Sequence, residues 1–138
     1  MNHASFRRDH VGNDHIIDRR FKPNVCGLEI ESFKRSTIHG PFDTLTFKLL
    51  YKGEYILGYS GDTVADKELI DWLLEGGKHP IVHEVGSESP VCHTTPDELI
   101  ELVPAEESSR VYYNHLIGRS EKKLKDAGFR PVNELKVI

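Results

Sequence analysis

Apolar and polar positions alternate regularly only from Cys26 onward. Leu28, Ile30 and Phe33 are spaced among polar neighbours as on one face of a strand, and Thr37-Ile38-His39-Gly40-Pro41 breaks the pattern. Leu45, Phe47 and Leu49 then alternate with Thr46 and Lys48, as a half-buried strand does. Lys52-Gly53 supplies a turn, and Tyr55-Ile56-Leu57-Gly58-Tyr59 follows as a second apolar strand, so residues 44–59 read as a hairpin.

Beyond the hairpin the rhythm changes. Asp66 to Glu75 is helical, with Leu69, Ile70, Trp72, Leu73 and Leu74 on a broad apolar face and Gly76-Gly77 as the stop. Pro80 to Val85 is a short buried strand. Thr95-Pro96-Asp97-Glu98 opens a helix with a hydroxyl cap, a proline at the first position and acidic residues near the positive end of the dipole. Arg110 to Asn114 reads as another strand, Ser120 to Ala127 as a helix ended by Gly128, and Val132 to Ile138 as a closing strand. A hairpin followed by alternating helices and strands predicts an α/β fold, a mixed sheet with helices on one face.

The 24 residues before this region carry no periodicity. They are polar, hold four arginines and three histidines, and read as a loosely ordered arm, leaving 25–138 as the folded unit. At 138 residues the length suits one domain or a piece of one. A net charge of −4 excludes a protein that holds nucleic acid by bulk positive charge, but not an enzyme that reaches phosphates through a metal. No apolar run approaches the ~20 residues that span a bilayer, and the first residues lack the apolar centre of a secretory signal. Cys26 and Cys92 are too few for a disulfide framework, so a cytoplasmic chain with reduced thiols and no membrane contact is expected.

Eight histidines draw attention to their placement, because histidine is the commonest metal ligand. Asp62 follows Tyr59-Ser60-Gly61 where the hairpin's second strand runs out. His83-Glu84 closes the next strand, His93 precedes the following helix, and His115 ends the strand after that. Ligands of α/β sheets gather outside the carboxyl ends of the strands. Singly, each residue is more often a turn former, a cap or a satisfied polar group than a ligand. Together they are donors that a divalent ion such as zinc or manganese takes.

In order, His39-Gly40, Tyr59-Ser60-Gly61-Asp62-Thr63, His83-Glu84, His93-Thr94-Thr95 and Asn114-His115-Leu116 resemble the metallo-β-lactamase superfamily, most closely its ribonuclease Z and phosphodiesterase-like branch. The resemblance runs from about Cys26 to Val132 and corresponds to the carboxyl-terminal half of that fold, an αββα sandwich. It implies His39 as a ligand of a first metal, Asp62 as a carboxylate bridging two metals, and His115 as a ligand of the second. It implies that His93 contacts a scissile phosphate, with Glu84 orienting its ring. The cofactor implied is zinc, or manganese, two ions per complete site.

One departure is large. The family's His-x-His-x-Asp-His motif belongs well upstream of His39, and here only His10-Val11-Gly12-Asn13-Asp14-His15 echoes it, with Gly12 at the middle histidine. Without that motif each metal keeps two ligands, whereas catalytic zinc generally has three and a water. The expectation is therefore part of a two-metal phosphodiester hydrolase, acting on RNA or a cyclic nucleotide. A complementary amino-terminal half on another chain, or a second copy in a homo-oligomer, would complete it. The alternative is a degenerate, non-catalytic binding or regulatory module of the same fold. A further possibility is one metal held by His39, Asp62 and His115, with His93 beside them.

Overall fold

The computed structural model describes residues 26–33, 37–39, 42–86, 92–115 and 120–136. The expected arm at 1–24, with the echo at His10, Asp14 and His15, lies outside them. The hairpin is present as β4 (Phe47–Tyr51) and β5 (Glu54–Tyr59), and β1 (Leu28–Ser32) pairs antiparallel with β4, Ile30 opposite Leu49. Lys52 and Gly53 form the tight turn, both at positive φ. The segment Thr37–Pro41 is more than a break: β2 (Thr37–His39) pairs with β3 (Phe42–Thr44) in a separate two-stranded ribbon.

After β5 the chain winds through α1 (Lys67–Leu74), β6 (Ile81–Glu84), α2 (Pro96–Leu102), β7 (Val111–Asn114), α3 (Glu121–Asp126) and β8 (Arg130–Pro131). The main sheet runs β1-β4-β5-β6-β7-β8, antiparallel as far as β5 and parallel beyond it. Each parallel strand is added on the same side of the one before. Right-handed crossovers then place all three helices on one face, as the helical periodicity and short connections predict. The closing strand differs from expectation. It is Arg130–Pro131, and Val132–Glu134 is a turn of 3-10 helix, because Pro131 removes a ladder donor and the hydrophobic spacing beyond it is too sparse to pair.

The core lies between the helices and this face. Leu69, Ile70 and Leu73 of α1, Leu99 of α2 and Leu124 of α3 pack over Ile81, Val111 and Tyr113, with Phe33, Val85, Val103 and Phe129 closing the margins. Gly58 belongs to the same face, where a Cβ would stand 3.1 Å from Leu73. Burying the five helix residues stabilises the fold by roughly 1.5–3 kcal/mol apiece before entropy is counted. On the opposite face, period-two alternation puts Leu28 and Ile30 of β1 beside Leu49 and Tyr51 of β4. That face is open at the β1 edge, where Leu28 and Tyr51 are 37% and 44% exposed, while every residue of β6 is buried.

Candidate functional site

Three parallel strands end on one rim, and the chemistry collects there. β5 ends at Tyr59, and Ser60-Gly61 turns the chain so that Asp62 follows. Gly61 takes φ 65°, and a Cβ on it would stand 2.6 Å from the Leu45 carbonyl, so only glycine makes this turn without a clash. The turn is tied down by Thr44, whose hydroxyl donates to the Asp62 carbonyl at 2.6 Å, and by Thr46, whose hydroxyl donates to that of Ser60 at 2.5 Å.

β6 delivers Glu84 to the same rim. Its backbone N–H donates to the Ser60 hydroxyl at 3.0 Å, and its Oε2 accepts the Thr63 N–H at 3.3 Å. The side chain is completely buried. That burial pushes the carboxyl up to about 7, the Thr63 N–H works against it, and the neighbouring Asp62 carboxylate adds to the rise. Oε1 forms a short ion-pair contact with His93 Nδ1. His93 stands two residues before the cap of α2, where the Thr95 and Glu98 side chains form a capping box. The next residue, Thr94, fastens this loop to the Asp62 loop, its N–H and hydroxyl both donating to the Thr63 carbonyl at 2.8 and 3.0 Å.

His115 follows β7 and takes a left-handed conformation, φ 66°. Its Nδ1 lies 3.9 Å from Asp62 Oδ1 and 4.0 Å from Glu84 Oε1, and its ring meets that of His93 edge-on with centroids 5.1 Å apart. Asp62, Glu84, His93 and His115, all expected from the sequence, therefore arrive together. His39 ends β2, in the separate ribbon, and its side chain lies outside the described residues. Asp62, His93 and His115 are partly open to solvent, with side-chain exposures of 38%, 25% and 48%.

Carboxylates and imidazoles on one rim, separated by distances close to those between ligands of one ion, fit a divalent cation of zinc or manganese type. Among the described residues, Glu84, His93 and His115 could hold it, with Asp62 beside them. His93 turns its Nδ1 to Glu84. Two further residues support the rim, Ser60 from inside the Tyr59-Ser60-Gly61-Asp62-Thr63 motif and Gly86 from outside any motif. Ser60 anchors the Glu84 backbone, and Gly86 leaves room for His93, since a Cβ there would overlap the first carbons of that side chain. The glycine in Val85-Gly86-Ser87, just past a strand end, was the available signal for such a close approach.

His83, which alternation turns to the helix side, plays no part at the rim. It is buried, its Nδ1–H donates to the Glu84 carbonyl at 2.7 Å, and burial lowers the imidazole to about 4. Cys26 and Cys92 are free thiols.

No protein-family profile and no curated relative matches the sequence. Solved structures match the backbone. The metallo-beta-lactamase fold protein YhfI from Bacillus subtilis aligns with 80% of this chain and 45% of its own, at 13% identity and TM-score 0.59. Igni18, a metallo hydrolase from the hyperthermophilic archaeon Ignicoccus hospitalis, aligns with 76% of this chain and 48% of its own, at 14% identity and TM-score 0.51. The chain thus spans about half the length of the structures it matches.

Proposed function

On the premise that this chain has the metallo-β-lactamase fold over the part that aligns, we propose that it supplies the carboxyl-terminal half of a divalent-metal hydrolase acting on phosphodiesters. The observation that carries this reading is the Glu84–His93 pair standing beside Asp62 and His115 on one rim. His39, Asp62 and His115 are the metal ligands in this reading, for two ions, zinc or manganese. Such ions, when bound, lower the pKa of water to give a nucleophile and stabilise the leaving oxygen.

The chain's own residues do the rest. Glu84, fixed by the Thr63 N–H, holds the His93 ring through Nδ1 and sets its direction. His93 Nε2 meets the phosphate and gives a proton to the departing oxygen, the work of a general acid. The remaining ligands come from a complementary half, or from a second copy, docked against the open face of β1 and β4. The acidic balance of the chain favours a cyclic or other small nucleotide over long RNA.

The test is hydrolysis of a model phosphodiester with added zinc or manganese, in the presence and absence of the candidate complementary half. Asp62→Ala should abolish the partner-dependent rate, and His93→Ala should lower it about a hundred- to ten-thousandfold. Partner-dependent hydrolysis that survives Asp62→Ala contradicts the proposal. The open apolar face favours a second reading, a non-catalytic association module. A chain that retains no metal in equilibrium dialysis near neutral pH would select that reading.

A further inference from the structure

Three ligand-type side chains supplied by this chain alone meet on the rim. Glu84, His93 and His115 each place a donor atom within 4.8 Å of the other two. We propose that these three residues hold a single divalent cation of zinc type, in a site this chain completes without an outside ligand. The proposal rests on the rim described above but divides the labour differently: in the chain by itself, Glu84 and His93 bind the metal, and proton transfer is left to the assembled enzyme.

The donor chemistry fits. Two imidazoles and one carboxylate, with a fourth position for water, form a set that zinc takes when one position stays open. Donors of a tetrahedral ion with bonds of ~2.0–2.1 Å lie about 3.3 Å apart. His115 Nδ1 is 4.0 Å from Glu84 Oε1, and His93 Nδ1 is already in contact with the same oxygen. To reach bonding distance His93 Nδ1 and Glu84 Oε1 move apart and His115 moves closer. The ion takes the place of the proton between His93 Nδ1 and Glu84 Oε1, and that proton passes to the buffer.

The backbone is built for this convergence. Glu84 is wholly buried, and with Oε2 on the Thr63 N–H its Oε1 is the oxygen turned to both imidazoles. Gly86 provides the space that His93 occupies. His115 holds φ 66°, a left-handed conformation strained for a Cβ-bearing residue, and strain of this kind concentrates at binding sites. Asp62, 3.9 Å from the same Nδ1 of His115, stands where a carboxylate accepts from a bound water. The exposed edges of His93 and His115 give the ion a way in.

This ligand set differs from one made of His39, Asp62 and His115, and the difference is measurable without substrate or partner. Cobalt(II) or zinc is titrated into the full chain against a competing chelator, with the ligand-field absorption of cobalt as the readout. One ion per chain is expected, with affinity reduced at least about a hundredfold in Glu84→Gln and in His93→Asn, the upper end of what outer-sphere partners cost. Imidazole NMR signals of His93 and His115 in the unaltered chain should both shift on adding zinc, which keeps the test independent of how well the variants fold. Two ions per chain, an unmoved His93 signal, or binding lost in His39→Ala and kept in Glu84→Gln would overturn the proposal. Because no hydrolysis is measured, its failure leaves the phosphodiesterase assay to be decided separately.

Discussion

Gly61 and Gly86 shape the rim without contributing a donor atom to it. At Gly61 any side chain meets both a left-handed φ and the Leu45 carbonyl, so Gly61→Ala should destabilise the fold by about 1–3 kcal/mol and lower its melting temperature. His83 governs a different property. Its imidazole titrates near 6.5 when unfolded and near 4 when folded, so the unfolded state binds the extra proton between those values. Stability is complete above about pH 6.5 and is lost as pH falls towards 4, by up to about 3 kcal/mol. Glu84 works in the opposite sense: its raised value makes stability fall as pH rises from 4.5 to about 7. His83→Leu should therefore flatten the acid side of a urea-midpoint profile. An unchanged profile would show that the imidazole is not held neutral.

Asp62, Glu84, His93 and His115 were legible residue by residue because short motifs mark them. Element boundaries followed from local signals where those were strong. The Thr95 cap, Pro96 and Glu98 announce α2, and the box they form closes as the sequence implies. Thr95→Ala should cost about 1 kcal/mol, read as a drop in the thermal midpoint. The end of α1 is another matter. Its last turn holds no basic residue, yet four successive carbonyls accept from side chains outside the helix. Lys48 donates to those of Trp72 and Glu75, His79 to that of Leu73 and Arg110 to that of Leu74. Lys48 reaches them by lying over the Tyr55 and Trp72 rings, 4.2 and 4.3 Å from their centroids. Nothing in the spacing of the sequence shows this, because a strand position with period two does not reveal which face meets a helix end. Lys48→Met keeps the packing volume but takes a charged donor from the Trp72 and Glu75 carbonyls, and should destabilise by about 2 kcal/mol in chemical denaturation. The β2–β3 ribbon and the short β8 were misread for a similar reason: three- and two-residue strands carry too few positions for a period to register.

At the scale of the whole molecule, the two faces of the sheet differ. Helices cover one, and the other leaves Leu28 and Tyr51 open at its antiparallel edge. Among the described residues no helix is long and apolar enough to cross a membrane. In the proposed function this is the face on which a complementary half, or a second copy, would dock. Tyr51→Lys, at an exposed position, should weaken that association in sedimentation while leaving the melting temperature of the chain within about 2–4 °C. The fold class was readable because α/β alternation after a hairpin admits few topologies, and the partner was not, because a face shows its chemistry but not its occupant. Diffraction at the zinc absorption edge from crystals grown with zinc tests the central claim most directly. The account predicts anomalous density on the rim, at bonding distance from His115 and from at least one of Glu84, Asp62 and His93. Zinc found only elsewhere on the surface, with these four side chains free of it, would contradict the account.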